Sequence, residues 1–550
     1  MGYDDVIPHL GGFGRYQRRI YILVCLPAIL CAFHKLAGVF LQAKPNHRCV
    51  LPFEDGTNAT YEYDRWNMSY PFDDLTNKTS TCKYFISNFT EEYFAENIPA
   101  TESIECNKWY YDKSKFDTSI VTEWNMVCSK SWVTTASDSL FMVGVLLGSI
   151  IFGYLSDRFG RKPIFFISLV IQVVFGICAG IAPEFYTYTI SRMIVGATTS
   201  GVFLVAYVIA MEMVGPSHRI YAGVICMMFF SFGYMLTALF AFFITDWRRL
   251  QIALTLPGLL FMCYWWFIPE SARWLISKNR KSEAAEIIKK AANENKVTIP
   301  SEILDELLDE DKKNPNNNVA AQTSILDLFR YPNLRNKSLI IFFDWFVNTG
   351  TYYGLSWNTN NLGGNPLLNF VISGAVEIPA YVFLLLTLNR WGRKTILCGC
   401  MLFGGTMLIL TMFVPENHNW IIIVLAMIGK LAITASYGTV YLFSTEQFPT
   451  VIRNVGLGAS SMCGRIGGII APNLNLLAEI WKPFPLLIFG GMAFTAGFLS
   501  LLLPETLNKT LPETIEDGER FGKKLPKEQD VNPEELKSLN EEHKNGKISA

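Results

Sequence analysis

Three short signatures occur twice in this 550-residue chain at nearly constant separation, so its fold must accommodate two copies of one unit. Asp157-Arg158-Phe159-Gly160-Arg161-Lys162 returns as Asn389-Arg390-Trp391-Gly392-Arg393-Lys394, with Arg158 and Arg390 standing 232 positions apart. Glu212, followed seven positions on by Arg219, returns 234 positions later as Glu446 and Arg453. Pro269-Glu270-Ser271 returns 235 positions later as Pro504-Glu505-Thr506. A shared offset across unrelated spacers marks an internal duplication.

Each copy stands at the end of a long apolar run. Runs of about 20 residues, enough to cross a hydrocarbon layer of about 30 Å, fall near 20–41, 134–154, 164–183, 187–210, 220–243 and 250–268. A second set falls near 339–357, 367–388, 395–414, 420–443, 455–477 and 484–503. Half of the residues are hydrophobic, 17% are charged and the mean hydropathy is +0.24, a membrane profile. The expected fold class is an all-α membrane protein of twelve transmembrane helices in two six-helix halves. A net charge of −1 gives no basic footprint for nucleic acid. The expected partners are instead the lipid bilayer and a small molecule.

Arg15, Arg18 and Arg19 precede the first run, which is too long for a signal-peptide core and reads as a retained anchor with its basic flank in the cytosol. Twelve crossings return the carboxyl terminus to that side. All six signatures then lie at cytosolic helix ends, and their short arginine- and lysine-rich linkers obey the positive-inside rule. The expected division is a cytosolic amino terminus (1–19), a first half (20–268) containing a loop (42–133), a cytosolic linker (269–338), a second half (339–503) and a cytosolic, mostly disordered tail (504–550).

The loop holds Cys49, Cys82, Cys106 and Cys128 and glycosylation sequons at Asn58, Asn67, Asn77 and Asn88. Facing an oxidising compartment, four cysteines favour two disulfides, and their spacing leaves all three pairings open. A folded, glycosylated stabilising domain is the reading preferred over a substrate-gathering cap. Sequons at Asn336 and Asn508 face the cytosol on this topology and should carry no sugar. The other cysteines, Cys178, Cys226 and Cys398 among them, fall in or near apolar spans as packing residues. In the linker, apolar spacing at 283–290 and 303–308 reads as short helices, broken at Asn314-Pro315-Asn316-Asn317-Asn318.

An ionisable side chain within hydrocarbon is costly, and at mid-span it faces a partner or a watery cavity. Glu377, Lys430 and Arg465 sit at the middle of the eighth, tenth and eleventh runs, where paired six-helix halves place a substrate. One acid cannot neutralise two bases, so a net positive charge remains even if Glu377 is a structural counter-ion. His34 and Lys35 in the first run are weaker candidates, since a long side chain there can snorkel. Phe203 and Tyr207, like Tyr437 and Tyr441, share a helix face at i, i+4, and Trp345 and Tyr352 align at i, i+7. Lys430 stands on the Tyr437 stripe. Ring faces suit a cation, although such a stripe is more often packing.

The signatures have a separate task. Asp157 and Glu212 lie near Arg158, Arg161 and Arg219, with Arg390, Arg393, Glu446 and Arg453 as second-half counterparts, and pairs made in one state only bias a two-state equilibrium. Gly144 and Gly148 allow close helix approach, though this pattern is weakly specific. No zinc spacing, nucleotide loop or catalytic triad is present in the sequence, so neither an enzyme nor a cofactor is expected.

Gly153-Tyr154-Leu155-Ser156-Asp157-Arg158-Phe159-Gly160-Arg161-Lys162 resembles the loop signature of the major facilitator superfamily, which implies twelve helices and alternating access. The long cysteine-rich loop, Trp124-Asn125-Met126-Val127-Cys128, Pro269-Glu270-Ser271-Ala272-Arg273-Trp274-Leu275 and Glu446-Gln447-Phe448-Pro449-Thr450-Val451-Ile452-Arg453-Asn454 narrow the resemblance to the organic cation, organic anion and carnitine (zwitterion) transporter family, from the first span to about Gly518. Sugar porters share the Pro-Glu-Ser type of signature but not the glycosylated loop. The resemblance implies a central pocket of Phe203, Tyr207, Phe230, Trp345, Tyr352, Glu377, Lys430, Tyr437, Tyr441 and Arg465. Vertebrate polyspecific cation carriers have Asp where this chain has Arg465; Arg is similar to the anion and carnitine branches.

The expected function is therefore a plasma-membrane, multi-pass carrier for an organic cation or carnitine-like zwitterion. Rings would hold the ammonium group, and Arg465, helped by Lys430, would hold a carboxylate. Na⁺ or H⁺ coupling stays open. The alternatives are an organic anion carrier and a non-transporting sensor on a carrier scaffold.

Overall fold

In a computed structural model, residues 3–54, 60–73, 78–96, 100–215, 218–298, 325–415 and 418–522 are described. Asn58, Asn77, the helix expected at 303–308, the break at 314–318 and the tail from 523 lie outside them.

The first half is built from α1 (Arg15–Leu41), α2 (Ser131–Phe159), α3 (Arg161–Gly180), α4 (Phe185–Met213), α5 (Arg219–Phe243) and α6 (Trp247–Thr255, continued as Pro257–Met262). Pro27 and Pro257 interrupt α1 and α6, because a proline inside a helix lacks the N–H of the i→i−4 bond. Asp246 sets the start of α6 by accepting from Arg249 N at 2.9 Å. Gly144 and Gly148 seat α2 directly on α4: a Cβ at either would strike the Met193 or Ala197 backbone.

Two short helices follow, α7 (Ala272–Ser277) and α8 (Lys281–Asn295). Ser271 caps α7 by accepting from Trp274 N. The side chain of Asn295 ties α8 to the first half, donating to Leu10 O (2.7 Å) and Gln17 Oε1 (2.8 Å) while accepting from Tyr16 N (2.9 Å).

The second half repeats the plan with α9 (Pro332–Trp357), α10 (Pro366–Trp391), α11 (Arg393–Leu410), α12 (Asn419–Gln447), α13 (Arg453–Leu476) and α14 (Phe484–Ser500). Gly467 presses α13 against the Phe346 carbonyl of α9 as Gly144 and Gly148 press α2 against α4. Among the described residues, eight helices are long and apolar enough to cross a membrane. The helices at the other four expected runs fall short: α6 is broken, α9 carries Lys337 and Asp344, α13 is glycine-rich around Arg465, and α14 has 17 residues.

Part of the segment expected to be tail is folded. A capping box between Thr514 and Asp517 starts α15 (Ile515–Arg520), and Lys337 Nζ donates to Gly518 O at 3.0 Å. Asn333 donates to the carbonyl of Glu519.

The loop between α1 and α2 contains three two-stranded antiparallel ladders: β1 (His47–Cys49) with β6 (Trp109–Tyr111), β2 (Phe72–Asp73) with β3 (Lys78–Thr79), and β4 (Lys83–Phe85) with β5 (Ser103–Glu105). Of the three pairings open in the sequence, the structure has Cys49–Cys106 and Cys82–Cys128. Arg48, fully buried, pairs with Glu54 at 2.7 Å between the rings of Tyr63 and Tyr110, each 4.9 Å away. Asn67 and Asn88 are exposed.

Hydrogen bonds join the halves on the loop side and at mid-depth. Asn360 donates to Val39 O (2.9 Å), Ser139 to Ile469 O (2.9 Å) and Tyr234 to Ser373 (2.9 Å), and Lys44 pairs with Glu479 (2.7 Å).

Candidate functional site

The doubled signatures assemble into two knots, one per half. Gly160, at φ 115°, reverses the chain between α2 and α3, and a Cβ there would collide with Glu270. Glu270 fills that space and accepts from the backbone N–H of Arg161 (3.0 Å), Lys162 (3.2 Å) and Ser271 (2.9 Å), capping α3 from 109 residues away. Burial raises the Glu270 carboxyl above its ordinary value against the pull of those N–H groups. Arg161 then reaches Asp157 at 2.6 Å and Glu212 at 3.3 Å, and Trp274 donates to Asp157 O at 3.0 Å.

The second knot repeats the first almost bond for bond. Gly392 has φ 92°, and Glu505 accepts from the N–H of Arg393 (3.0 Å), Lys394 (3.1 Å) and Thr506 (2.9 Å). Arg393 pairs with Glu446 at 3.2 Å. Not every expected switch residue takes part. Arg158 and Arg390 are exposed, Arg158 bonding only weakly to Tyr154, and Arg453 holds Phe448 O and Thr450. Arg219 opens α5, half-buried. The capping role of Glu270 and Glu505 was not foreseen, although both lie inside repeated motifs.

Between the knots and the loop, the mid-span charges separate into two settings. Lys430 and Glu377 form an ion pair at 3.4 Å, both essentially inaccessible. Ser231 donates to Glu377 at 2.5 Å, while Lys430 donates to Tyr352 O (3.1 Å) and to Ser356, with its ammonium 3.5 Å from the Tyr352 ring centre. Glu377 thus neutralises Lys430, and among the described residues no carboxylate pairs with Arg465. Arg465, half-buried, donates to Ser461 on its own helix, and its Nε has no partner.

The rings form one cluster in each half. Trp345 meets Tyr441 at 4.4 Å and Tyr352 stacks on Tyr437 at 5.5 Å. Phe203 lies against Tyr207 (6.4 Å) and Phe230 (6.1 Å). Trp345 Nε1 is fixed by Ser444 at 2.8 Å. Phe203, Tyr207 and Tyr437 are half-buried and Tyr441 is 38% exposed, so the protein leaves this wall partly uncovered.

Lys35 stands at the centre of the box. Its ammonium lies 5.4 Å from the Phe203 ring, 5.7 Å from Phe230 and 5.9 Å from Tyr353, and donates to Tyr353 Oη at 3.3 Å. Tyr353 itself, stacked on Trp357, did not stand out in the sequence. Its position one residue after Tyr352 turns it toward the first half, a direction only helix rotation could reveal. His34, next to Lys35, is buried with neither ring nitrogen bonded and faces Arg192, not the box.

One group of donor atoms has metal-like spacing: those of His47, Cys82 and Cys128 lie within 4.8 Å of one another. With Cys82 and Cys128 joined, their sulfurs are not thiolates, and the group does not suit a metal. Burial lowers the His47 imidazole to about 4, aided by Lys44.

The family model described as sugar (and other) transporter matches residues 77–517. The Drosophila melanogaster protein named organic cation transporter protein is 64% identical over 530 residues, covering 95% of this chain and 96% of the relative. Human organic cation/carnitine transporter 2 is 37% identical, covering 94% and 93%. Among solved structures, the major facilitator superfamily proton:xylose symporter XylE aligns with a TM-score of 0.59 at 18% identity, over 91% of this chain and 98% of that one. The two-half helical plan described above is the fold of that superfamily.

Proposed function

We propose that this chain, which belongs to the sugar (and other) transporter family and within it to the organic cation and carnitine transporters, carries small organic cations or carnitine-like zwitterions across the plasma membrane. The observation that carries the reading is the half-exposed central box, where the Lys35 ammonium lies against Phe203 and Phe230 of the first half and Tyr353 of the second, with Arg465 acting electrostatically on Tyr353 and Lys35. Rings stabilise an ammonium through their quadrupoles, by about 0.5–2 kcal/mol each when desolvated. Arg465, which pairs with no acid among the described residues, supplies a fork for a carboxylate.

In this reading all twelve helices cross the bilayer, with the knots and both termini in the cytosol and the disulfide-bonded loop outside, carrying glycans at its sequons. The halves are joined on the loop side, as an inward-facing form would have them. Transport proceeds by rocking of the halves about the box. The knots keep α2 with α3 and α10 with α11 as rigid pairs, so that each half moves as a body. Lys430 and Glu377 support the wall from behind through Tyr352 and Ser231, and Lys430 does not contact the substrate in this form.

Uptake of labelled carnitine, tetraethylammonium and benzoate into cells expressing the chain tests this, with and without sodium and across a proton gradient. Saturable uptake of carnitine or tetraethylammonium, reduced in Arg465→Ala for carnitine, is expected. Saturable benzoate uptake alone would replace it with the organic anion reading, and no saturable flux of any probe would leave the sensor reading.

A further inference from the structure

The aromatic box that suits a substrate's ammonium already contains one. Lys35 belongs to α1, and its ammonium is ringed by Phe203, Phe230 and Tyr353 at 5.4–5.9 Å, within cation–π reach of all three. No carboxylate lies within ion-pair distance of it among the described residues; its polar contact is the Tyr353 hydroxyl. Arg465 is in the same condition, satisfied only by Ser461 and bearing a buried, unbonded Nε. Both cations act electrostatically on Tyr353, or bond to it, and Arg465 acts on Lys35 itself. The other mid-depth lysine, Lys430, is neutralised by Glu377 and cannot share that acid. Two uncompensated cations therefore converge on one half-buried space, where a charge interacts several-fold more strongly than in water.

Resting on the proposed carrier function, we infer that Lys35 is the residue that sets substrate charge: with Arg465 it makes a carboxylate obligatory on the transported molecule, and it holds the rings against simple organic cations. A molecule bearing only an ammonium would have to displace Lys35 from the rings and would leave both basic groups unneutralised. A molecule with a carboxylate neutralises part of the excess. The four-carbon stem of lysine lets its ammonium leave the rings and follow the carboxylate, which frees the box for the ammonium of a zwitterion. The substrate class is then a compact zwitterion whose ammonium and carboxylate are separated by a few bonds, such as a betaine or an ω-amino acid.

The test is a charge-selectivity measurement in intact cells expressing the full chain, with surface amounts normalised by biotinylation. Wild type should take up carnitine saturably and tetraethylammonium poorly. Lys35→Ala should raise the carnitine KM by at least about tenfold and raise tetraethylammonium uptake several-fold, because the box is emptied. Lys35→Arg, which keeps the charge on a bulkier planar head, should still exclude tetraethylammonium while raising the carnitine KM; a several-fold rise in tetraethylammonium uptake with the charge kept would overturn the inference. If Lys35→Ala reaches the surface and leaves both the carnitine KM and tetraethylammonium uptake within twofold of wild type, the inference is overturned while the carrier function stands. Robust wild-type tetraethylammonium uptake that exceeds carnitine uptake also overturns it. Absence of saturable flux of any probe in wild type strikes the underlying function instead.

Discussion

The two lysines of the box level differ in whether an acid reaches them and in how far they are enclosed. Lys430 has Glu377 at 3.4 Å and a carbonyl, a hydroxyl and a ring besides, and is closed off from solvent. Lys35 has three rings and a phenol, and stays half-exposed. A charge with a complete set of partners is structure; one without is free to serve a ligand. The knots make the opposite pattern. There the two halves share the capping glutamate and the arginine–glutamate pair, while the mid-depth charges differ between them.

Removing the acid should break the first contrast outright. Glu377→Ala leaves Lys430 buried and unpaired, a change that costs about 3–5 kcal/mol. The expected result is a large loss of folded protein at the surface, read by thermal melting of the detergent-solubilised carrier, and Glu377→Gln with Lys430→Met should recover folding. At Arg465 the loss should fall on transport and spare folding. Arg465→Ala removes a charge-assisted contact of about 1.5–3 kcal/mol, so the carnitine KM should rise roughly 10- to 100-fold with the melting temperature nearly unchanged.

The symmetry of the knots can be tested by pairing substitutions. Gly160→Ala and Gly392→Ala each place a Cβ against a capping glutamate at positive φ, a strain of about 1–3 kcal/mol. Both should lower maximal uptake by similar factors and leave the KM alone; a deficit confined to one half would show that the knots carry unequal load. The smallest effect on flux belongs to the loop. His47 is buried neutral, with its imidazole at about 4 against an ordinary value near 6.5. The unfolded loop binds the proton first, so loop stability should hold above pH 6.5 and fall as the pH drops from about 6.5 to 4. Protease sensitivity of the loop should rise over that window, His47→Gln should flatten the dependence, and transport at neutral pH should stay as in wild type.

Much of this was legible in the sequence. The shared offset of the signatures required two like halves, and the apolar runs required helices at the places where helices stand. Depth alone singled out Glu377, Lys430 and Arg465. Lys35 was set behind them because a long side chain in the first run can snorkel; in the fold its ammonium lies among three rings, with no carboxylate in ion-pair distance among the described residues. Lys430 lay on the Tyr437 stripe by spacing, but rotation of α12 directs its ammonium under Tyr352 and away from the open side. The pairing of Cys49 with Cys106 and Cys82 with Cys128 could not be derived from spacing, since it depends on how the loop between α1 and α2 folds back on itself.

Local periodicity and repetition are properties of the chain in order, and they determined the helices, the two halves and the motif at each helix end. Which of two bases one acid neutralises is decided by distances between helices that no local pattern encodes. Tertiary packing brought Ser231 and Lys430 to Glu377 and left Lys35 and Arg465 facing the same space. The sequence by itself determined that the pocket would hold excess positive charge, and only the folded chain decided which side chains carry it.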